Sequence, residues 1–123
     1  MNRLHLQPIR VTATVALLVT LCGCFSVAAS EVEDERKAIL ARAPLGIQVS
    51  EVSAALKPLG FSCSKGEGQF TDESGKVRSA REHLWCDRER SCWLVCGKRT
   101  LAILVSSNNR VSELHLHVGL VCL

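Results

Sequence analysis

Most of what would announce a chemistry is missing from this chain. No concentrated basic stretch occurs: Arg3 and Arg10 stand at the extreme N-terminus, and from Phe25 onward 13 bases meet 12 acids, a net charge of +1. Nucleic-acid binders usually carry a basic face, so the balance argues against one. No apolar run approaches the ~20 residues a helix needs to cross a bilayer. Gly66-Glu67-Gly68 lacks the third glycine and the following helix of a phosphate cradle. There is no Cys-x-x-Cys knuckle and no tyrosine. At 123 residues there is no room for a second core.

Cysteine is what the chain has in excess, with seven, and the N-terminus supplies the compartment that explains it. Arg3 and Arg10 without an acid, then the eleven-residue run Val11–Leu21, then small residues, follow the order of a secretory signal peptide. Leu21-Cys22-Gly23-Cys24 resembles a bacterial lipobox, in which the last cysteine is lipidated and becomes the mature N-terminus. That places the signal peptide at 1–24 and a lipid on Cys24, with buried CH₂ groups contributing ~0.8 kcal/mol each to anchoring. Phe25 after that cysteine, by analogy with lipoprotein sorting, points to the outer membrane. Cleavage after Ala29 or Ser30 is the alternative, and leaves a soluble periplasmic protein.

Residues 25–43 read as a tether and first helix. Ser30 and Glu33 fit a capping box, the acids Glu31 to Glu35 precede Arg36, Lys37 and Arg42, and Pro44 stops the helix near Ala43. Val32, Ile39 and Ala43 share a face, and the charge run reads as solvated. A second helix starts from Ser50 as N-cap, carries Val52, Ala55 and Leu56 as one stripe, and ends at Pro58 and Gly60. Residues 64–81 are polar with three glycines and read as a flexible exposed loop or hairpin. His83–Cys86 and Ser91–Cys96 read as two strands joined around Asp87–Arg90, and Gly97–Arg99 as the next turn.

Leu101–Val118 is the organising hairpin, with Asn108-Asn109 as a two-residue loop, since Asn tolerates the left-handed backbone such turns need. That loop sets Leu101 opposite Leu116 and Ile103 opposite Leu114, an apolar face completed by Val105 and Val118. Ala102 with His115, Leu104 with Glu113 and Thr100 with His117 form a mixed face.

Pro44-Leu45-Gly46, Glu51-Val52, Leu56 and Leu59-Gly60, with the lipobox-like Cys24, resemble the SmpA/OmlA (BamE-like) family of small outer-membrane lipoproteins. The resemblance implies two helices on a three-stranded sheet, residues 44–123 as the domain, and an accessory role in barrel assembly. A related fold occurs in β-lactamase-inhibitor proteins. The expected class is α+β, two short helices on one face of an antiparallel sheet of three to five strands.

Five cysteines remain after either cleavage: Cys63, Cys86, Cys92, Cys96 and Cys122. In an oxidising compartment they form disulfides, and an odd count leaves one over. On an extended strand, residues four apart lie ~13 Å from each other, which excludes Cys92 with Cys96. Cys63–Cys86 is the preferred bridge and Cys96–Cys122 the second, with Cys92 left over. Against this stands a zinc site of His83, Cys86, Cys92 and Cys96, or a thiol protein using that block. His115 and His117 with Glu113 could bind a metal but read as exposed sheet residues. The resulting expectation is a non-enzymatic envelope protein without cofactor, meeting a protein partner and tethered to the membrane by its lipid. The alternative is a periplasmic thiol or zinc-binding protein.

Overall fold

A computed structural model of the protein describes residues 27–93 and 95–122, with residues 81, 92 and 93 described in backbone only. The expected signal peptide and the lipobox-like Leu21–Cys24 lie outside the described residues, as do the Cys92 side chain and Leu94. Helices α1 (Ala29–Arg42) and α2 (Val49–Leu56) come first, and a 3-10 turn at Lys57–Leu59 leads into the strands. These are β1 (Ser62–Thr71), β2 (Val77–Trp93), β3 (Cys96–Ser107) and β4 (Arg110–Cys122). They form one antiparallel meander in the order β1-β2-β3-β4. The class is the expected α+β, with one strand more than the resemblance implies.

Both helices begin ahead of the serines expected to cap them. Ala28 is the N-cap of α1 and Gln48 that of α2, neither with a side-chain cap, so Ser30 and Ser50 lie inside their helices. For α2 the reason is tertiary: the Val49 amide donates to the Asn109 carbonyl at 2.9 Å, so the β3–β4 turn takes over the role of a cap. The connection between the helices also pairs with the start of β4, through Gly46 N to Val111 O (2.7 Å) and Val111 N to Ile47 O (2.9 Å).

One face of each helix is apolar, and the two stripes meet over the sheet. Ile39, Ala43, Val52 and Leu56 are fully buried against Leu84, Cys86, Ala102, Leu104 and Leu116. Ile39 of α1 and Ala43 just after it dock on the sheet, as their shared face in the sequence implies.

The Asn108-Asn109 loop forms as expected, with φ of 53° and 62°. The register beyond it does not. Ser106 pairs with Val111 but Val105 pairs with Glu113, so Ser112 is an extra residue, and its hydroxyl donates to the Val105 carbonyl at 3.2 Å. A β-bulge of this kind shifts every later pair by one. Leu101 therefore opposes His117, not Leu116, and Ile103 opposes His115. Ala102 and Leu104 join Leu116 and Leu114 beneath the helices, while Leu101, Ile103 and Val105 face the other side.

Of the two readings of residues 64–81 the hairpin holds and the flexible loop does not: β1 runs through to Thr71 and the turn is Asp72–Lys76. Asp87–Arg90 is not a turn either. It is the middle of a 17-residue strand, paired with Leu101 to Lys98 of β3, and Gly97–Arg99 lie within β3. The turn falls instead between Trp93 and Cys96, which pair with each other. Charged residues survive in mid-strand here because they find partners: Arg99 Nη2 lies 2.9 Å from Asp87 Oδ2, and Arg88 is clamped as described below.

The sheet is strongly curled. Neighbouring strands lie ~4.8 Å apart, so β1 and β4 would be ~14 Å apart in a flat sheet. Yet Phe70 of β1 has its ring 5.6 Å from that of His115 in β4. The far part of the β1–β2 hairpin folds over the second face, and a second small core of Phe70, Ile103 and Val105 closes beneath it.

Candidate functional site

The cysteines come first, because they decide which chemistry is possible. Register sets Cys63 opposite Cys86 and Cys96 opposite Cys122, and both pairs are disulfides. These are the two bridges the sequence analysis preferred. Such bonds persist in oxidising compartments, which marks the protein as extracytoplasmic. Among the described residues no helix is long and apolar enough to cross a membrane. The described residues of the zinc alternative, His83, Cys86 and Cys96, are not brought together. Cys86 and Cys96 are each consumed by a disulfide, and His83, an odd number of residues from Cys86 on one strand, points to the opposite face. Cys86 and Cys96 are lost to the thiol reading in the same way, and the Cys92 side chain lies outside the described residues.

The second face carries the histidines. His83 is 2% exposed, its ring 5.2 Å from Phe70 and 6.0 Å from Trp85. Gly66 across the ladder makes room for them, since a Cβ there would stand 2.5 Å from His83 Nε2 and 2.6 Å from Trp85 Nε1. Among the described residues neither ring nitrogen of His83 has a hydrogen-bond partner. Leaving a buried polar group unpaired costs about 1–3 kcal/mol. His83→Phe, which keeps the ring and removes both nitrogens, is expected to raise unfolding free energy by about 1 kcal/mol in urea melts.

His115, His117 and Glu113 share this face as expected but do not converge on a common point. His117 Nε2 lies 2.7 Å from the Thr71 carbonyl, whereas His115 Nε2 lies 3.4 Å from Glu113 Oε1 and 3.2 Å from Arg78 Nη1. Among the described residues no group of three or more His, Cys, Asp or Glu side chains is placed to hold a metal ion.

The residues that fasten the curl were not foreseen. Glu73, in the β1–β2 tip, accepts from Arg36 Nη2 at 2.6 Å and from the Leu116 amide at 2.8 Å. Arg78 grips Glu113 with two hydrogen bonds, at 2.8 and 3.1 Å. Asp72 Oδ1 gathers the Ser74 hydroxyl and the Ser74 and Lys76 amides, closing the tip as an Asx turn. Burial pushes the Glu73 carboxyl up, but Arg36 and the Leu116 amide outweigh it and leave it lowered. Arg78 lowers Glu113, and the Ser74 hydroxyl lowers Asp72. Carboxylates depressed in the folded state stabilise it above their unfolded pKa, about 4, and lose that contribution as pH falls through the depressed native value. Thermal stability is therefore expected to drop in acid below about pH 4, with Glu73→Gln and Glu113→Gln flattening the profile. The same slope in the double variant would contradict this.

The other fixed point is Arg88 of β2. Its guanidinium pairs with Glu35 of α1, donates to the Leu59 carbonyl at 3.1 Å, and lies 4.5 Å from the centroid of Phe61. The charge run of α1 is thus only partly solvated: Glu35 and Arg36 are both inward clamps. The signal was present in the period-2 series Leu84, Cys86, Arg88, which placed Arg88 on the buried face once residues 87–90 were read as strand.

An open cleft of about 890 Å³ separates the start of α2 from the β1–β2 bulge and the β3–β4 turn. Its lining mixes Lys65 and Arg110 with Glu67, Glu82 and several serines. Arg110 Nη1 is already engaged by the Gly46 carbonyl at 2.8 Å. Neither one sign of charge nor a nucleophile with its base is gathered there. Compared with known family models, curated proteins and solved structures, the chain matches none.

Proposed function

We propose that this is an exported bacterial envelope protein, not an enzyme, held at the outer membrane by a lipid on Cys24 and facing the periplasm. It acts as a small protein-binding or accessory module in envelope assembly or integrity, the role implied by the SmpA/OmlA (BamE-like) resemblance. The observation that carries the reading is the pair of cross-strand disulfides, which together take four of the five cysteines downstream of Cys24. The order of two helices followed by an antiparallel sheet supports it as well. So do the positions of the motif glycines: Gly46 (φ 94°) turns the chain between the helices, and Gly60 (φ 89°) closes the turn into β1. Both need a left-handed backbone.

The test combines subcellular fractionation with thiol titration and metal analysis of the exported protein. Membrane association that is lost in Cys24→Ala, a single titratable thiol beyond the two bridges, and no stoichiometric metal are expected. A cytosolic product with several free thiols or bound zinc would overturn the proposal.

A further inference from the structure

We infer that the second half of β4, residues 118–122, is an edge on which a second copy of this chain pairs, antiparallel and about a two-fold axis at Leu120. The inference goes beyond the function proposed above and does not depend on the lipid anchor.

β4 is the last strand of the meander, so one side of its backbone meets β3 and the other faces outward. In an antiparallel ladder the outward groups belong to alternate residues. The Leu116 amide is one of them, because it donates to Glu73 at 2.8 Å. Leu114, Val118, Leu120 and Cys122 share its parity, and no register shift intervenes. As far as Leu116 this edge is covered. Val111 bonds to Gly46 and Ile47 at 2.7 and 2.9 Å, and the Leu114 carbonyl accepts from Arg36 Nη1 at 3.5 Å. Past Leu116, among the described residues, nothing bonds the outward groups of Val118, Leu120 or Cys122. At this level α1 stands over β2 and β3, where Glu35 pairs with Arg88 and Glu31 lies 3.6 Å from Lys98. Val118-Gly119-Leu120-Val121-Cys122 also lacks the charges and proline that ordinarily blunt an exposed edge. The Cys96–Cys122 bridge holds its end in the strand, so little ordering is left for a partner to impose.

The segment itself identifies the occupant. Turned about Leu120, it sets Leu120 against its own counterpart and Val118 against Cys122 of the second copy, and each pair exchanges both N–H and C=O. Gly119 then meets Val121 in a non-hydrogen-bonded pair, where side chains come closest. The two fit: a Cβ on Gly119 would find no atom within 4 Å, and Val121, 44% exposed, fills that opening. No charge opposes the pairing. Lys98 and Arg99, next to Leu120 and Gly119 on β3, are met by Glu31, Glu35 and Asp87. Three strand spacings, ~14 Å, part them from their counterparts, beyond the ~10 Å screening length at 0.1 M salt. The other edge, β1, is unsuited: exposed Lys65 and Glu67 and a break in register at Gly66/Gly68 blunt it. Copies therefore join β4 to β4, an arrangement that closes at the dimer. The segment is short beside the roughly 20–30 residues a side of a standard interface, so the dimer is weak.

The exported, processed protein is sedimented to equilibrium from about 10 μM to about 1 mM in a density-matched detergent that disperses any lipid. Amide exchange is followed by NMR at both ends of that range. The mass should rise from monomer toward dimer, and exchange at Val118 and Leu120 should slow several-fold with it. Gly119 and Val121, whose amides bond to β3, should stay slow throughout. Leu120→Pro removes only an outward N–H, and Val121→Lys, at an exposed position, sets two like charges across the axis. Each should weaken dimerisation by about tenfold or more with circular dichroism unchanged. Monomer at every concentration overturns the inference. So does a dimer in which Val118 and Leu120 exchange as fast as in the monomer, or one that Val121→Lys leaves intact. Slow exchange at these two amides already in the monomer would mean that a segment of the chain itself lies on the edge. Growth past the dimer would mean that β4 pairs with a different edge. Both overturn the inference.

Discussion

Glu35→Ala is expected to lower unfolding free energy by about 3–5 kcal/mol, the loss seen when one member of a buried ion pair is removed. The Arg88 and Glu35 side chains are only 6% and 11% exposed, so water cannot replace the missing carboxylate. Arg88 would keep the Leu59 carbonyl and the Phe61 ring, neither of which neutralises its charge. Most domains have only about 5–15 kcal/mol of stability, so this one change takes a large share. The urea midpoint should fall with the slope unchanged. Replacing the pair together, Glu35→Leu with Arg88→Met, should recover most of the loss, since desolvating two charges offsets much of what their attraction contributes. A loss below about 1 kcal/mol in Glu35→Ala, the size typical of solvated pairs, would mean that the clamp is open in solution.

Larger still is the expected effect of removing the disulfides. The bridges join residues 23 and 26 apart in sequence. Chain-entropy reasoning assigns each about 3 kcal/mol, drawn from the unfolded state. Cys63→Ser with Cys86→Ser should therefore cost about that much, and slightly more because the Cys86 side chain is fully buried and a hydroxyl there lacks the apolar contacts of sulfur. Removal of both bridges, by substitution or by reductant, is expected to leave the chain unfolded at 37 °C, because the two contributions approach the whole stability of a domain this size. A reduced protein with unchanged near-ultraviolet circular dichroism would show that the helix–sheet core suffices alone.

These two effects also mark where the sequence was legible. The disulfides could be argued from compartment, strand geometry and the distance between neighbouring cysteines, all of which are local or topological. The two helices were visible in their stripes and stops, and the Asn108-Asn109 turn in its residue type. The faces of the sheet were not, because a single inserted residue at Ser112 reverses the facing of everything beyond it. Nothing in Arg110-Val111-Ser112-Glu113 announces a bulge. Its cause is long-range: Val111 must exchange hydrogen bonds with Gly46 and Ile47 while Leu114 and Leu116 still reach the helices.

Charge misled in the same way. Asp87-Arg88-Glu89-Arg90 reads as a solvated turn when taken alone, and the polar run 64–81 reads as a loop. Both become strands because their charged side chains find partners on other elements: Glu35 for Arg88, Arg99 for Asp87, Glu113 for Arg78. Local pattern cannot anticipate a partner 53 residues away, the separation of Arg88 from Glu35.

Intact mass of the mature protein, before and after reduction, bears most directly on export and oxidation together. The expected product begins at Cys24 with its lipid attached and gains four hydrogens on reduction, two for each bridge. A native protein that retains Met1 through Leu21 and gains none would contradict both the compartment and the cross-linked fold on which the proposed function stands.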